Sequence, residues 1–365
     1  MRVTFRSEEL RKAYKRVSVS LPSRSVAIPI IENILIRSEG GNLIVSATNL
    51  DTVAVAMVEG AMCIGDDFSV AVSPKVLMGI LKTVNDAVDM VVSDEYGVQI
   101  KLTGSQYDIP GMNGDDFPTI PEMPVFGDSI NPDELINGLG KTINLATDDP
   151  DRPSANGISM SPTGYVCLFD QEAGASCINP CTITGRLEGR NAISLVKWIT
   201  GLHSDIQIGI TDSFFHLKDG DNYLSMRKVD VPYRNIFDIM DKGGRVIPYD
   251  SFFAVAQESF LDTVNRLKAL SSDMFYALNI EYKNQGEIIL TLKDHMSHKS
   301  GREVLPVHTQ FNDQFSINLN INVVSSLLAQ VNLPEVRIHI DPENVSIAWF
   351  SIGEEERHII TALNL

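Results

Sequence analysis

Three short stretches of this chain combine residue types that could do chemistry. GLGKT (Gly138 to Thr142) has the glycines, lysine and threonine of a phosphate-binding loop. That loop needs a glycine five positions before Gly140, where Leu135 stands. Leu135, Leu139 and Ile143 recur at helical spacing instead, which predicts an amphipathic helix starting at Asn131-Pro132. DHMSH (Asp294 to His298) sets two histidines beside an aspartate, and DDPDRP (Asp148 to Pro153) sets Asp148, Asp149 and Asp151 beside Arg152. A metal site needs a third preformed ligand, and acid–base catalysis needs carboxylates with shifted pKa values in a cleft. The sequence nominates neither, so both stretches are expected to be solvated loops. Cys177 and Cys181 lack a second pair for a tetrahedral site, and Cys63 and Cys167 complete a set without CxxC spacing. Reduced thiols are expected. No catalytic residue, metal or cofactor is expected.

The basic residues are more patterned. Lys75 and Lys82 lie seven apart, on one face of a helix and away from the apolar stripe Val76, Leu77, Ile80, Leu81, Val84. Arg190 and Lys197 repeat that pair, whereas Asn322 and Ala329 stand at the corresponding places of a third helix. In the amino-terminal segment SEELRKAYKRV, Leu10, Ala13, Tyr14 and Val17 form a buried stripe, with Arg11, Lys12, Lys15 and Arg16 on other faces. One such face is usually only solvated. Recurrence points to a surface that tracks a polyanion.

The elements that carry these charges are themselves repeated. SPKVLMGILKTV (Ser73 to Val84), EGRNAISLVKWITGL (Glu188 to Leu202) and NINVVSSLLAQVNL (Asn320 to Leu333) are each followed by an alternating strand pattern. The strand positions are Val88, Met90, Val92; Ile206, Ile208, Ile210; and Val336, Ile338, Ile340. A spacing of roughly 120–130 residues suits domains rather than a solenoid. Ser7 and Ser73 are expected N-caps, with Pro74 at the first helical position. Gly40-Gly41 and Asp219-Gly220 are expected turns, and FPTIPEMPVF (Phe117 to Phe126) an interdomain linker. The last third is expected to open with a helix running from Asp250 through Phe253, Ala256, Phe260, Val264 and Leu267. The pattern is α+β, without Rossmann-type βαβ units.

The composition is that of an ordinary globular protein, with 44% hydrophobic and 21% charged residues. The start, alternating from Val3 to Phe5, lacks the apolar core of a signal peptide, and no apolar run approaches a membrane span. A cytoplasmic protein without a membrane partner is expected. The net charge of −17 alone argues against nucleic acid, so the placement of the cations has to decide.

Several segments together resemble the bacterial DNA sliding clamps, the beta subunits of DNA polymerase III. They are SRSVAIPIIENILI (Ser23 to Ile36), SATNLD (Ser46 to Asp51), GDDFPTIPE (Gly114 to Glu122), RPSANGI (Arg152 to Ile158), VDVPYRNIF (Val229 to Phe237), LSSDMFYALNI (Leu270 to Ile280) and the terminal HIITALNL. Their order covers essentially the whole chain. The resemblance implies three similar clamp domains, 1–125, 126–243 and 244–365, with helices inside and sheets outside. It further implies a head-to-tail homodimer closing a six-domain ring. Such a ring is a processivity factor without catalytic activity. It encircles duplex DNA regardless of sequence and tethers the replicative polymerase, the clamp loader and other replication and repair proteins through their clamp-binding peptides.

By position, Arg24, Lys75, Arg152 and Arg190 match family contacts to DNA, and Lys12, Lys15, Arg16, Lys82, Lys197 and Arg266 lie on the expected inner helices. The family's peptide groove corresponds to Pro232, Ile236, Phe275, Asn320, Val323, Ile359, Ile360, Ala362 and Leu363, with core packing as the alternative for Ile360 and Phe275. Tyr107 and Ile109 match the dimer edge, facing Ala269 and Leu270 of the other chain. The chain departs from the family at DQEAGA (Asp170 to Ala175), where a TDGHR-like segment is usual, at Pro153-Ser154, where tyrosines are usual, and at HMSHKSGRE, where an acidic stretch is usual. An alternative is a clamp-fold interaction scaffold that does not load on DNA, motivated by the neutral third helix and the altered groove.

Overall fold

The computed structural model describes residues 1–140, 142–143, 146, 156–161, 164–169, 173–177, 183–229, 252–272, 274, 276–283, 286–294, 296–309, 314–329, 331, 333–341, 344–352 and 356–363. DDPDRP, Lys141, Cys181 and His295 lie outside them. The chain forms two compact units: Met1–Ile136 with Arg190–Lys228, and Asn137–Gly189 with Val229–Leu365.

In the first unit a five-stranded antiparallel sheet runs in the order β5 (Met62–Ile64), β1 (Arg2–Arg6), β7 (Ala87–Val92), β8 (Val98–Leu102), β9 (Ser105–Ile109). A nine-stranded sheet runs β10 (Gly111–Asn113), β6 (Ser69–Val72), β2 (Ile34–Glu39), β3 (Asn42–Thr48), β4 (Thr52–Met57), β18 (Asn222–Arg227), β17 (Phe214–Asp219), β16 (Ile206–Ile210), β11 (Asp128–Ile130). Strands from the first and middle thirds of the chain join where β4 pairs with β18, Val55 opposite Tyr223. Gly40 and Gly41, both at positive φ, make the two-residue turn between β2 and β3 as expected.

The second unit contains a nine-stranded sheet, β15 (Gly185–Leu187), β12 (Ile158–Ser161), β13 (Gly164–Phe169), β14 (Ala173–Cys177), β27 (Glu356–Thr361), β26 (Asn344–Ile352), β25 (Glu335–Asp341), β19 (Phe253–Ala256), β23 (His308–Thr309). A four-stranded sheet follows the order β22 (Lys299–Pro306), β21 (Glu287–Asp294), β20 (Ala277–Tyr282), β24 (Phe315–Asn320). Here the middle and last thirds join through β14 and β27, Ala173 opposite Ile360.

Among the described residues six α-helices accompany these sheets: α1 (Ser7–Val17), α2 (Pro74–Leu81), α3 (Pro132–Gly140), α4 (Gly189–Ile199), α5 (Gln257–Lys268) and α6 (Ile321–Leu328). The three repeated helices α2, α4 and α6 are each followed by a strand, β7, β16 and β25, as the sequence periodicity requires. Two starts differ from expectation. Ser7 is the first residue of α1, buried, and its hydroxyl donates to the Val84 carbonyl, so Arg6 takes the cap position without a side-chain cap. The stretch expected to open the last third as helix is strand β19 at Phe253–Ala256, because Phe253 and Val255 pair with Ile338 and Val336 of β25. The helix begins only at Gln257. Ser73 precedes α2 without a side-chain cap bond, while Pro74 does occupy the first turn. Asn131 caps α3, its Oδ1 accepting from the Asp133 N–H at 2.8 Å.

Candidate nucleic-acid interface

α1 buries Leu10, Ala13 and Val17 against β3 and β4. Its acidic first turn (Glu8, Glu9) and basic last turn (Lys15, Arg16) both complement the helix dipole. The opposite face carries four cations, and the structure divides them into two kinds. Arg11 is bound to backbone: its Nη1 donates to the Leu81 carbonyl at 2.7 Å and the Val84 carbonyl at 2.6 Å, closing the C-terminal end of α2. Arg16 is bound to side chains, with Nη2 2.6 Å from Asp219 Oδ2 and Cζ 5.2 Å from the Trp198 ring centroid. Lys12 is exposed and paired with Glu8 at 3.1 Å and Glu9 at 2.9 Å. Those carboxylates raise its pKa, the Glu9 hydrogen bond first. Lys15 is exposed and has no ion-pair partner among the described residues.

Lys75 in α2, Lys82 just after it, and Lys197 in α4 are likewise exposed and without an ion-pair partner among the described residues. Arg190 is exposed but has Asp51 Oδ2 at 3.3 Å, and Arg227 approaches the same carboxylate at 3.7 Å. Arg24 stands exposed in a loop whose shape is set by Glu32, which accepts from the Ser25 hydroxyl at 2.8 Å and the Val26 N–H at 3.0 Å. These bonds hold the Glu32 carboxyl below its ordinary range, Ser25 contributing most. A cleft of about 380 Å³ lies between α1 and the end of α4, with Lys12, Lys15, Arg16 and Lys197 in its walls and Trp198 buried beside them. Eight of the ten sequence-predicted cations therefore fall in the first unit. Arg266, on α5 in the second, makes a two-pronged pair with Glu303 of β22 at 2.8 and 2.5 Å, and Arg152 lies outside the described residues.

Sequence reasoning missed Trp198, Asp219 and Asp51 as partners of the cations. Trp198 follows Lys197 directly, so its proximity to the basic face was visible. The pairing of Arg16 with Asp219 spans 203 residues and has no local signal.

In the second unit the predicted groove residues are partly placed. The Asn320 side chain accepts from the Asn322 N–H at 3.0 Å and caps α6. Val323 and Ile360 are buried, at 6% and 1% exposure, so Ile360 packs in the core. Ala362 and Leu363 are half-buried, and the Leu363 N–H donates to the Asn318 carbonyl at 2.8 Å, laying the tail along β24. Ile359 sits in β27 opposite Gly174 of β14. Pro232, Ile236 and Phe275 lie outside the described residues.

Among the described residues, β9 in the first unit and β22 in the second are each the terminal strand at one end of their sheet. Tyr107 is exposed on β9, whereas Ile109 is only 3% exposed and belongs to the core. Ala269 is exposed and Leu270 half-buried just after α5. Gly301 of β22 is where α5 approaches closely: a Cβ there would stand 2.6 Å from Leu267 Cδ2 and 2.7 Å from Leu270 Cδ1. At the β21–β22 turn, Asp294 accepts from the Met296 and Ser297 N–H groups and the Ser297 hydroxyl, so it caps the hairpin tip. Gly138 to Gly140 of GLGKT are the end of α3, with Gly138 against the Tyr165 ring, so these glycines belong to a helix rather than to a phosphate loop.

Paired strand–helix units on antiparallel sheets, with cations gathered on helices, define a class: the fold is that of the bacterial DNA polymerase sliding clamps. A Pseudomonas aeruginosa DNA polymerase III subunit beta structure superimposes over 100% of both chains with a TM-score of 0.87 at 18% identity. The Caulobacter crescentus DNA polymerase sliding clamp does so with 0.85 at 19% identity. More particularly, residues 1–121 match the family model of the DNA polymerase III beta subunit, N-terminal domain. The beta sliding clamp of Caulobacter vibrioides (strain NA1000 / CB15N) is 21% identical over 391 residues, covering 100% of each chain, and that of Pseudomonas aeruginosa is 20% identical over 360 residues, covering 95% of each. The resemblance drawn from the collinear segments is thus matched by the family model over residues 1–121 and by the fold over the whole chain.

Proposed function

We propose that this chain is a DNA polymerase processivity factor, a sliding clamp that encircles duplex DNA and holds the replicative polymerase on it. The observation that carries the reading is that Lys15, Lys75, Lys82 and Lys197 are all exposed and without ion-pair partners among the described residues, on or just after α1, α2 and α4 of a chain whose net charge is −17. Lysines on flexible stems suit phosphate contacts that supply position without base readout. In this reading the chain comprises three clamp domains, 1–125, 126–243 and 244–365. Two copies pair head to tail, the β9 edge with Tyr107 meeting the β22 edge beside Ala269 and Leu270, while Ile109 supports that edge from the core. Arg24 reaches the duplex from its loop, and Arg152 is a further contact by its match to the family position. The clamp loader, polymerases and repair proteins bind by short peptides at the surface around Pro232, Ile236, Phe275, Asn320, Val323 and the 359–363 tail. The protein is an accessory subunit in the cytoplasm, without a catalytic site of its own.

The neutral α6 favours a second reading, an interaction scaffold that does not load on DNA. Primer extension on a long template, with cognate polymerase and loader, separates the two. A clamp lengthens the products made in one binding event. Product lengths unchanged by the protein would leave only the scaffold.

A further inference from the structure

The four cations of α1 were grouped together by sequence, but the structure gives them different tasks. At about 100° per residue, Lys15 and Lys12 fall between Arg11 and Arg16 around the helix, opposite Leu10, Ala13 and Val17. The two arginines therefore flank the lysine stripe, one on each side. Arg11 is spent on α2, its guanidinium bonded to the Leu81 and Val84 carbonyls and within 3.3 Å of Ser7 Oγ. Arg16 is spent on the other neighbour. Its guanidinium lies over the face of Trp198 from α4 and donates to Asp219, the last residue of β17. The Ser194 hydroxyl of α4 donates to the Val19 carbonyl at 3.0 Å and strengthens the same seam. Arginine suits both places, because a planar fork can cap carbonyls, stack on a ring and bind a carboxylate at once.

We infer that Arg11 and Arg16 are positioning residues rather than DNA contacts: they strap α1 to α2 and to α4, so that Lys12, Lys15 and Lys197 face the duplex as one surface. The inference rests on the clamp reading, and it changes the role that family position alone assigns to Arg16. A carboxylate near a cation that touches phosphate competes with DNA. A carboxylate near a cation that holds two helices together assists DNA binding. Asp219 tells these apart by the sign of its effect.

The test is binding of a short fluorescent duplex across a salt series, with the full chain and with Arg16→Gln, Asp219→Asn, their double variant, Arg11→Gln and Lys15→Gln. Arg16→Gln and Asp219→Asn are each expected to weaken binding about fivefold. The double variant should be no weaker than either alone, because the two act as one unit. The logarithmic salt slope should stay at the wild-type value in these and in Arg11→Gln, whereas Lys15→Gln should lower it by about 0.9, the signature of one lost phosphate contact. A slope lowered by about 0.9 in Arg16→Gln, with Asp219→Asn binding as well as or better than wild type, would make Arg16 a contact and overturn the inference. A wild-type chain that does not bind the duplex at all would overturn the inference alone, because the clamp reading is decided by retention on closed circular DNA. Amide exchange at residues 78–84 reports the strap independently of DNA: it should quicken in Arg11→Gln, and protection equal to wild type would refute that half.

Discussion

Among individual residues, the useful distinction is between charges that are bound within the chain and charges left for a partner. Arg11, Arg16 and Arg266 have short bonds inside the protein, while Lys15, Lys75, Lys82 and Lys197 have no ion-pair partner among the described residues. The helical wheel of α1 was legible in the sequence, since its apolar and basic stripes follow from spacing alone. The commitments were not, because they depend on Asp219 and Glu303 arriving from distant strands. His216 was also illegible. It is fully buried in β17, with Nδ1 2.8 Å from Ser225 Oγ and Nε2 3.3 Å from Thr211 Oγ1, and burial pushes its pKa down. The unfolded chain therefore takes up a proton near pH 6.5 that the folded chain refuses. This contribution to stability is complete above that pH and is lost as pH falls through the lower folded pKa. Between pH 7.5 and 5.5 the melting temperature of the wild type should fall more than that of His216→Gln, and parallel curves would contradict the assignment. At the tail, Leu363→Asp should abolish polymerase stimulation and leave the dimer intact, as read by primer extension and by mass in solution. Undiminished stimulation would remove Leu363 from the groove.

The repeated helices and their following strands were legible as elements, because a 3.6-residue apolar period switching to alternation is a local property. The opening of the last third was not: Phe253 to Ala256 fits a helical stripe equally well, and pairing with β25 decides for strand. GLGKT shows the same limit. Its Gly138 is required by packing, since a Cβ there would stand 2.1 Å from the Tyr165 ring. Replacing a helical glycine by alanine ordinarily stabilises by about 0.8–1 kcal/mol. Here the overpacking cost of about 1–3 kcal/mol should reverse the sign. Gly138→Ala should lower the melting temperature, and a rise would show that the ring yields freely. Gly301→Val should disturb β22 through Leu267 and Leu270 in the same way, shifting the solution mass from dimer toward monomer. A dimer of unchanged stability would argue that β22 is not the closing edge.

For the whole molecule, a net charge of −17 and a nucleic-acid role are compatible because the cations are segregated rather than because they are numerous. Among the described residues, the first unit carries exposed lysines without ion-pair partners on or beside three helices, α1, α2 and α4. The third repeat carries none on α6, and its one predicted cation, Arg266, is held by Glu303. Grip on the duplex should therefore be uneven around a ring and modest in total, which suits a protein that must slide. The fold and the threefold repeat were readable from sequence because apolar periodicity is written in each copy. Closure was not, because in the proposed ring it depends on two strand edges, β9 and β22, that would meet only between two chains. What makes a ring different from any basic surface is topology: it leaves DNA by an end or by opening, not by dissociation of contacts. The most direct test is retention after loading on circular DNA, compared with the same circle cut once. The clamp account predicts slow loss from the closed circle and rapid loss once an end exists. Equal, salt-labile loss from both would contradict it.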